Sequence, residues 1–444
     1  AVSMGMICAE DELGLGSSHE GILVLGPGAL PGTPAAEYFQ VENDHVFEIG
    51  LTPNRIDGAS HLGAARDLAA FLSQSGKVKL KKPSVEAFKA DNNNLHIPVE
   101  IEEKPGCKRY SGLTIQGITV AESPAWLQNR LKSIGQTPIN NVVDITNFVL
   151  HETGQPLHAF DADKITGQKV LVKTMPEGSP FVTLDEQERK LRASDLMICN
   201  TETGMCIAGV FGGITSGVTE KTTSIFLESA CFDPVYIRKT ARFHQLNTDA
   251  SFRFERGSDP NMTVWALKRA ALLIREIAGG SISSDVVDVY PEPVEDFRVE
   301  ISYRHVDRLI GNHLDPATIR SILESLEIHV EEEDDQGMVV RVPPYRVDVQ
   351  READVIEEIL RIYGFNRVEI TSGLRSTLSS TSKPDKELLI NRTSDLLSSN
   401  GFFELKSNSL TPASYYDTDD KDPAAVRLFN PLSQDLAPVS YTHL

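Results

Sequence analysis

Asp354, Glu357 and Glu358 stand at i, i+3 and i+4, a spacing that puts three carboxylates on one face of a helix, and Asp348 lies just upstream, where the chain can fold back to it. An oxygen-only set of this kind suits a hard cation such as magnesium, which keeps several of its waters and needs only a few carboxylates. Acidic residues in a first helical turn also complement the helix macrodipole, so spacing alone leaves both readings open. Three further clusters could carry chemistry. Thr146 and Asn147, with the run GQPLHAFD at 154–161, set polar groups and His158 among apolar ones, as a small-molecule pocket or a satisfied core histidine would require. AGVFGG at 208–213 lets backbone N–H groups approach a ligand closely, because Gly212 and Gly213 have no Cβ. It lacks the G-x-G-x-x-G spacing and the lysine of a P-loop, so a phosphate cradle is not expected and a tight turn between strands is the alternative. Glu228, followed by Thr248, Asp249, Ala250, Ser251, Arg253, Glu255 and Arg256, forms the third; taken alone, Glu228 reads as a salt-bridge partner.

The elements that must position these residues follow from periodicity and turn chemistry. A strand-like run at 47–49 leads to a helix carrying Leu62, Ala65, Leu68, Ala69 and Leu72, and 77–94 is a polar, turn-rich connector. From 95 to 289 the texture is α+β, with strands expected at 97–101, 112–120, 170–174, 196–199 and 224–227. One helix there starts after Ser123-Pro124, and another starts near Asp259-Pro260 and stops at Gly279-Gly280. After the Pro291-Glu292-Pro293 boundary a βααβ-like unit is expected. It has strands at 297–301, 328–332 and 339–342, helices at 304–309 and 316–326, and a further helix at 353–363 that carries the acidic set. A Ser/Thr-rich connector at 376–382 precedes a helix at 386–397 and a strand near Phe403.

Bulk composition limits the classes available. The chain has 444 residues, 40% hydrophobic and 24% charged, enough for about three domains of ordinary size. No apolar run approaches the roughly 20 residues of a membrane span, and the first residues do not resemble a signal peptide, so a cytoplasmic protein without a membrane association is expected. Cys8, Cys107, Cys199, Cys206 and Cys231 are scattered and odd in number, which argues for reduced thiols over a disulfide framework or a zinc site. The net charge of −20 repels polyanions on average, so any nucleic-acid contact must be local. The basic stretches are Lys77, Lys79, Lys81 and Lys82, then Arg238, Lys239, Arg242, Arg253, Arg256, Lys268 and Arg269, each equally a solvated face.

Four collinear strings carry a resemblance: GQTPINNVVDITNFVLHETGQPLHAFD at 135–161, AGVFGG, LESACFDP and TDASFRFERGSDP. Together they look like the editing module of the bacterial phenylalanyl-tRNA synthetase β subunit. SMGMICAEDELGLG is similar to the end of that subunit's tRNA-binding OB-fold domain, and FEIGLTPNRIDGASHLGAARDLAAFL to the segment after it. RVPPYRVDVQREADVIEEILRIYGFNRV resembles the family's winged-helix-like domain. The chain thus reads as an internal piece of such a subunit with an α+β multidomain fold. Residues 1–37 would end the OB fold, 38–94 form a small segment and linker, and 95–292 the editing module. Residues 293–371 would be winged-helix-like, with a magnesium site, and 372–444 the truncated start of a synthetase-core-like domain.

The resemblance implies an (αβ)₂ tetramer in which the α subunit joins phenylalanine to tRNA, using ATP at its own active site, while the β subunit binds tRNA and hydrolyses mischarged Tyr-tRNA. It assigns recognition of the tyrosine moiety to Glu228, and places His158, Gly212, Thr248 and Ala250 in the hydrolytic pocket. It assigns Asp348, Asp354, Glu357 and Glu358 to Mg²⁺ at the interface with the α subunit. Two positions depart from the family pattern: Thr137 stands where many members have arginine, and the pattern stops before Pro438. Two other readings are a non-catalytic scaffold for tRNA binding and α-subunit assembly, and a winged-helix DNA binder, which the acidic composition of 297–369 disfavours.

Overall fold

The computed structural model describes residues 7–16, 18–39, 44–76, 78–369, 373, 384–406, 410–412, 426–433 and 438–439. The chain divides into two compact units, Ala1–Glu369 and Ile370–Leu444, and both α and β elements are present, with several sheets. The described residues before 52 hold a 3₁₀ turn, Asp11–Leu13, and the single-turn helix α1 (Ala35–Tyr38). The run at 47–49, expected as a strand, has no strand partner among the described residues, and Phe47 and Ile49 are exposed. Alternation alone does not make a strand where no ladder is available for its backbone groups. Helix α2 (His61–Ser73) starts where the Ser60 side chain accepts from the Gly63 N–H at 3.0 Å.

The middle of the chain runs β1 (Val99–Ile101), β2 (Cys107–Gln116), α3 (Ala125–Ser133), α4 (Asn141–Thr153), β3 (Leu157–Asp161), β4 (Val170–Thr174), β5 (Pro180–Val182) and β6 (Glu188–Lys190). It continues through β7 (Leu196–Cys199), β8 (Gly204–Ile207), β9 (Phe211–Gly212), β10 (Ser224–Phe232), α5 (Pro234–His244), α6 (Asp249–Phe254), α7 (Thr263–Ile277), β11 (Ser281–Ile282) and β12 (Val287–Val289). One sheet has the order β1-β4-β7-β8-β9, the other β11-β2-β10-β3, with β12 also on β2. Strand β10 is buried throughout, because both of its faces are covered. Phe226, Ala230 and Phe232 face the core between the two sheets, while Ile225 and Leu227 face a second core built with α3, α4 and α7. Glu228 lies on the first of these faces, by the two-residue period of a strand.

The sequence reading missed α4. Its run NVVDITNFV is rich in β-branched residues, which favour strands, but Val142, Ile145 and Val149 are fully buried on one helical face. The Asn140 side chain caps the N–H groups of Val142 and Val143, and Gly154 closes the helix with φ +83°. Those two residues were the available signal. Helix α5 was missed too, although the Asp233 side chain caps the Val235 and Tyr236 N–H groups with Pro234 at the first helical position. At α3, by contrast, Pro124 is itself the N-cap, and the Ser123 hydroxyl donates to Asp144 Oδ2 at 2.6 Å and caps nothing.

α5 is pinned to the sheet by a buried carboxylate. Asp195 accepts from the Arg192 N–H at 2.9 Å, His244 Nε2 at 2.7 Å and Thr240 Oγ1 at 2.9 Å. Burial alone would raise the Asp195 pKa, but these hydrogen bonds outweigh it and hold the group below the usual carboxylate value. A depressed folded pKa contributes stability that is present above the unfolded value of about 3.9 and is lost as pH falls through the folded one. Asp195→Asn is therefore expected to lose about 1–3 kcal/mol at pH 7, with the gap to wild type closing below about pH 4. Urea denaturation across pH measures this; a gap that stays constant into acid would contradict it.

The third part runs β13 (Phe297–Ser302), α8 (Tyr303–Ile310), α9 (Pro316–Ser325), β14 (His329–Glu333), β15 (Gly337–Val342) and α10 (Glu352–Tyr363), with sheet order β13-β15-β14. Its core takes in Ala70 of α2. An ionic cluster joins the same parts. Arg346 meets Glu358 at 2.8 Å and Asp57 at 3.5 Å, Arg361 meets Asp67 at 3.0 Å, and Arg55 meets Asp57 at 2.9 Å. In the second unit α11 (Lys386–Ser399) forms as expected, and β16 (Val426–Arg427) pairs with β17 (Pro438–Val439). The strand expected near Phe403 is absent: 402–406 carries no strand assignment and Phe403 is exposed.

Candidate active site

Strand pairing brings the middle clusters together. Glu228 on β10 stands opposite His158 on β3 and Gly112 on β2. Both acid and imidazole border a cavity of about 430 Å³, within the roughly 300–1,000 Å³ of small-molecule sites. Gly212 at the end of β9, and Thr248 and Ala250 at the start of α6, line the same space, as do Thr146 and Asn147 of α4. The five residues singled out for a pocket thus come from four separate elements and share one cavity.

Each has a definite local role. Glu228 is buried, and Tyr110 donates its hydroxyl hydrogen bond to Oε2 at 2.7 Å, while no described residue donates to Oε1. Burial pushes this carboxyl up to about 7, against the pull of the Tyr110 hydrogen bond. Burial pushes His158 down to about 4, so its imidazole is neutral at pH 7, and its sealed Nε2 has no partner among the described residues. Gly212 makes room for that ring: a Cβ there would lie 3.1 Å from His158 Cε1 and 2.9 Å from Leu184 Cδ1. Thr248 is committed to structure, because its hydroxyl donates to the Val210 carbonyl at 3.0 Å and accepts from the Ser251 N–H at 3.0 Å as the cap of α6. It shapes the wall and is not free to act as a nucleophile. Thr137 is exposed beside Gln136, whose amide donates to Asp249 of the cavity at 2.9 Å. Tyr110 escaped the sequence reading, since it meets Glu228 only through pairing of strands 118 residues apart.

The comparisons fall on these elements. The B3/4 domain model matches residues 106–279 and the tRNA synthetase B5 domain model matches 299–365. Phenylalanine–tRNA ligase β subunits from Bacteroides fragilis and Porphyromonas gingivalis are 57% and 53% identical to this chain across 98% of it. The chain belongs to the phenylalanine–tRNA ligase β-subunit family. It spans about half, 53%, of the length of those two relatives. An N-terminal fragment of the phenylalanyl-tRNA synthetase β-subunit from Pyrococcus horikoshii matches 70% of this chain and 84% of its own at 16% identity and TM-score 0.35, too distant to build on. No helix among the described residues is long and apolar enough to cross a membrane.

Within the family's B5 region, the second acidic set is arranged differently from the pocket. Asp348 is exposed and accepts from Asn54 Nδ2 at 2.6 Å. Asp354 accepts from the backbone N–H of Arg351 at 2.9 Å and pairs with the Arg351 guanidinium at 3.1 Å. Glu357 is exposed, whereas Glu358 is buried, with Oε2 on Arg346 at 2.8 Å and Oε1 on Arg361 at 3.1 Å. Among the described residues no three His, Cys, Asp or Glu side chains converge as a metal ion would need. With both Glu358 oxygens occupied by arginines, the four carboxylates do not fit a ready-made magnesium centre in this chain.

Proposed function

We propose that this chain supplies the proofreading site of a phenylalanine–tRNA ligase, hydrolysing the ester between tyrosine and the 3′-terminal adenosine of tRNA. The observation that carries the reading is Glu228, a buried carboxylate with one oxygen held by Tyr110 and the other open toward a cavity of amino-acid size. A synthetic pocket shaped for phenylalanine rejects an isostere bearing one extra hydroxyl by only about 10². A second pocket that pairs the hydroxyl with a buried acceptor discriminates better, because phenylalanine leaves that acceptor unpaired. Glu228 accepts the tyrosine hydroxyl, and the neutral imidazole of His158, which lines the same cavity, shapes the space beside the ester. Gly212, Thr248 and Ala250 fix the cavity wall around the ester, so the rate comes from placement of reactants.

The test is deacylation of Tyr-tRNA and Phe-tRNA by the purified chain. Hydrolysis of Tyr-tRNA faster than of Phe-tRNA supports the reading. Binding of tRNA or of an α subunit with no hydrolysis above the spontaneous rate replaces it with the scaffold reading.

The proposal extends to the assembled (αβ)₂ enzyme in the cytoplasm, in which the α subunit uses ATP to attach phenylalanine. Magnesium enters it only as an interface ion that Asp348, Asp354 and Glu357 would hold, with Glu358 kept by its arginines, and no step of hydrolysis passes through it. Asp354→Ala with Glu357→Ala is expected to raise the magnesium concentration needed for β–α association by about tenfold or more. Sedimentation across a magnesium titration reads this, and unchanged association takes the ion out of the interface.

A further inference from the structure

We propose that Tyr110 is the positioning residue of the recognition site, holding Glu228 so that Oε1 and not Oε2 meets the incoming hydroxyl. The inference rests on the proofreading reading of the cavity and names a residue that sets its selectivity. Its basis is the strand register. Gly112 stands directly opposite Glu228 on β2, and a Cβ there would lie 2.2 Å from Phe226 Cζ, so no side chain from that position can reach the acid. Tyr110, two residues earlier and on the same face, is the diagonal neighbour, fully buried, with its hydroxyl 2.7 Å from Oε2. A phenol on Oε2 leaves Oε1 toward the cavity, so one carboxylate is bracketed by the protein's phenol and the substrate's.

The groups around Glu228 contribute little competing charge. Tyr110 and Cys107 face it from β2, neutral His158 from β3 and Cys206 from β8, with Asp249 of α6 lining the same cavity. Of these, the Tyr110 hydroxyl is the group that hydrogen-bonds the carboxylate, and a hydrogen bond to the charged form favours that form. Wild-type Glu228 titrates at about 7, so both its orientation and its charge at neutral pH depend on this contact.

The experiment is made on the full chain with Tyr110→Phe, and has two readouts. The first is the infrared carbonyl stretch of protonated Glu228, identified by its loss in Glu228→Gln and followed across pH without substrate. The midpoint is expected to move up by about one unit in Tyr110→Phe. The second is the ratio of Tyr-tRNA to Phe-tRNA deacylation. A rise from 7 to about 8 lowers the ionised fraction at pH 7 from about one half to about one tenth, so the ratio is expected to fall at least about fivefold, recovering in part at higher pH. An unmoved midpoint overturns the role of Tyr110, whatever the substrate. A midpoint that moves in a chain whose wild type shows no preference for Tyr-tRNA sustains the grip of Tyr110 on Glu228 and sinks the proofreading reading instead. Should Tyr110→Phe not fold, 3-fluorotyrosine at 110, a stronger donor of the same shape, is expected to move the midpoint down. No downward movement there also overturns the proposal.

Discussion

Glu228→Ala is expected to lower hydrolysis of Tyr-tRNA by about ten- to hundredfold while leaving hydrolysis of Phe-tRNA much less affected or slightly raised. A hydrogen bond to a charged acceptor is worth roughly 1.5–3 kcal/mol, which sets the loss for tyrosine. For phenylalanine the same substitution removes the penalty of burying Oε1 with no donor, so the two rates move apart. A mutant that had merely lost its fold would depress both. The effect is pH-dependent, because only ionised Glu228 accepts freely, and wild-type selectivity is expected to rise as pH passes about 7. The linked stability has the opposite sign. A carboxyl whose folded value lies above the unfolded value of about 4.3 favours the folded state in acid, and that contribution is lost as pH rises through 7. Glu228→Gln should therefore be relatively more stable than wild type above neutrality. The measurement is the pair of deacylation rates across pH, with thermal melting alongside. A folded Glu228→Ala chain with an unchanged Tyr-to-Phe ratio removes Glu228 from recognition.

Arg346→Met is expected to destabilise the chain by about 3–5 kcal/mol. Arg346 is 2% exposed, and its guanidinium meets Glu358 at 2.8 Å, Asp57 at 3.5 Å and the Leu326 carbonyl at 2.8 Å. Without it two buried carboxylates and a carbonyl lose a donor, and breaking one side of a buried pair is far more damaging than replacing both. The lower end of the range is expected, because Arg361 still holds Glu358 at 2.7 Å and Arg55 still holds Asp57 at 2.9 Å. Pairing the change with Glu358→Met should recover part of the loss, since the double variant leaves fewer uncompensated charges. Chemical denaturation of the two single variants, the double variant and wild type gives the coupling energy directly. Strict additivity would show that Arg346 and Glu358 do not support one another.

Sequence legibility differed between the two acidic sites for a reason seen in the contacts. Asp348, Asp354, Glu357 and Glu358 were grouped by helical spacing, but spacing cannot say which way a carboxylate is satisfied. Only Arg346 and Arg361, brought in by folding, show that Glu358 turns inward. In the pocket the reverse holds. His158, Gly212, Glu228, Thr248 and Ala250 have no common spacing, and only the resemblance grouped them before the strand register and the start of α6 placed them on one cavity.

By itself the sequence determined what is local: the start of α3 just after Ser123-Pro124, the stop of α7 before Gly279-Gly280, the apolar face of α10, the α+β texture and the four collinear strings of the family. These features depend on residues a few positions apart, whose propensities and side-chain directions are set by the backbone they build. Tertiary structure decided the rest. It made a helix of the β-branched run in α4, because Val142, Ile145 and Val149 bury together against the sheet and α7. It left 47–49 without a strand partner among the described residues. It also joined Tyr110 to Glu228 across 118 residues, setting the phenol hydroxyl 2.7 Å from Oε2 of a carboxyl that burial pushes up to about 7. Burial and long-range pairing control those outcomes, and neither is written in the spacing of neighbouring residues.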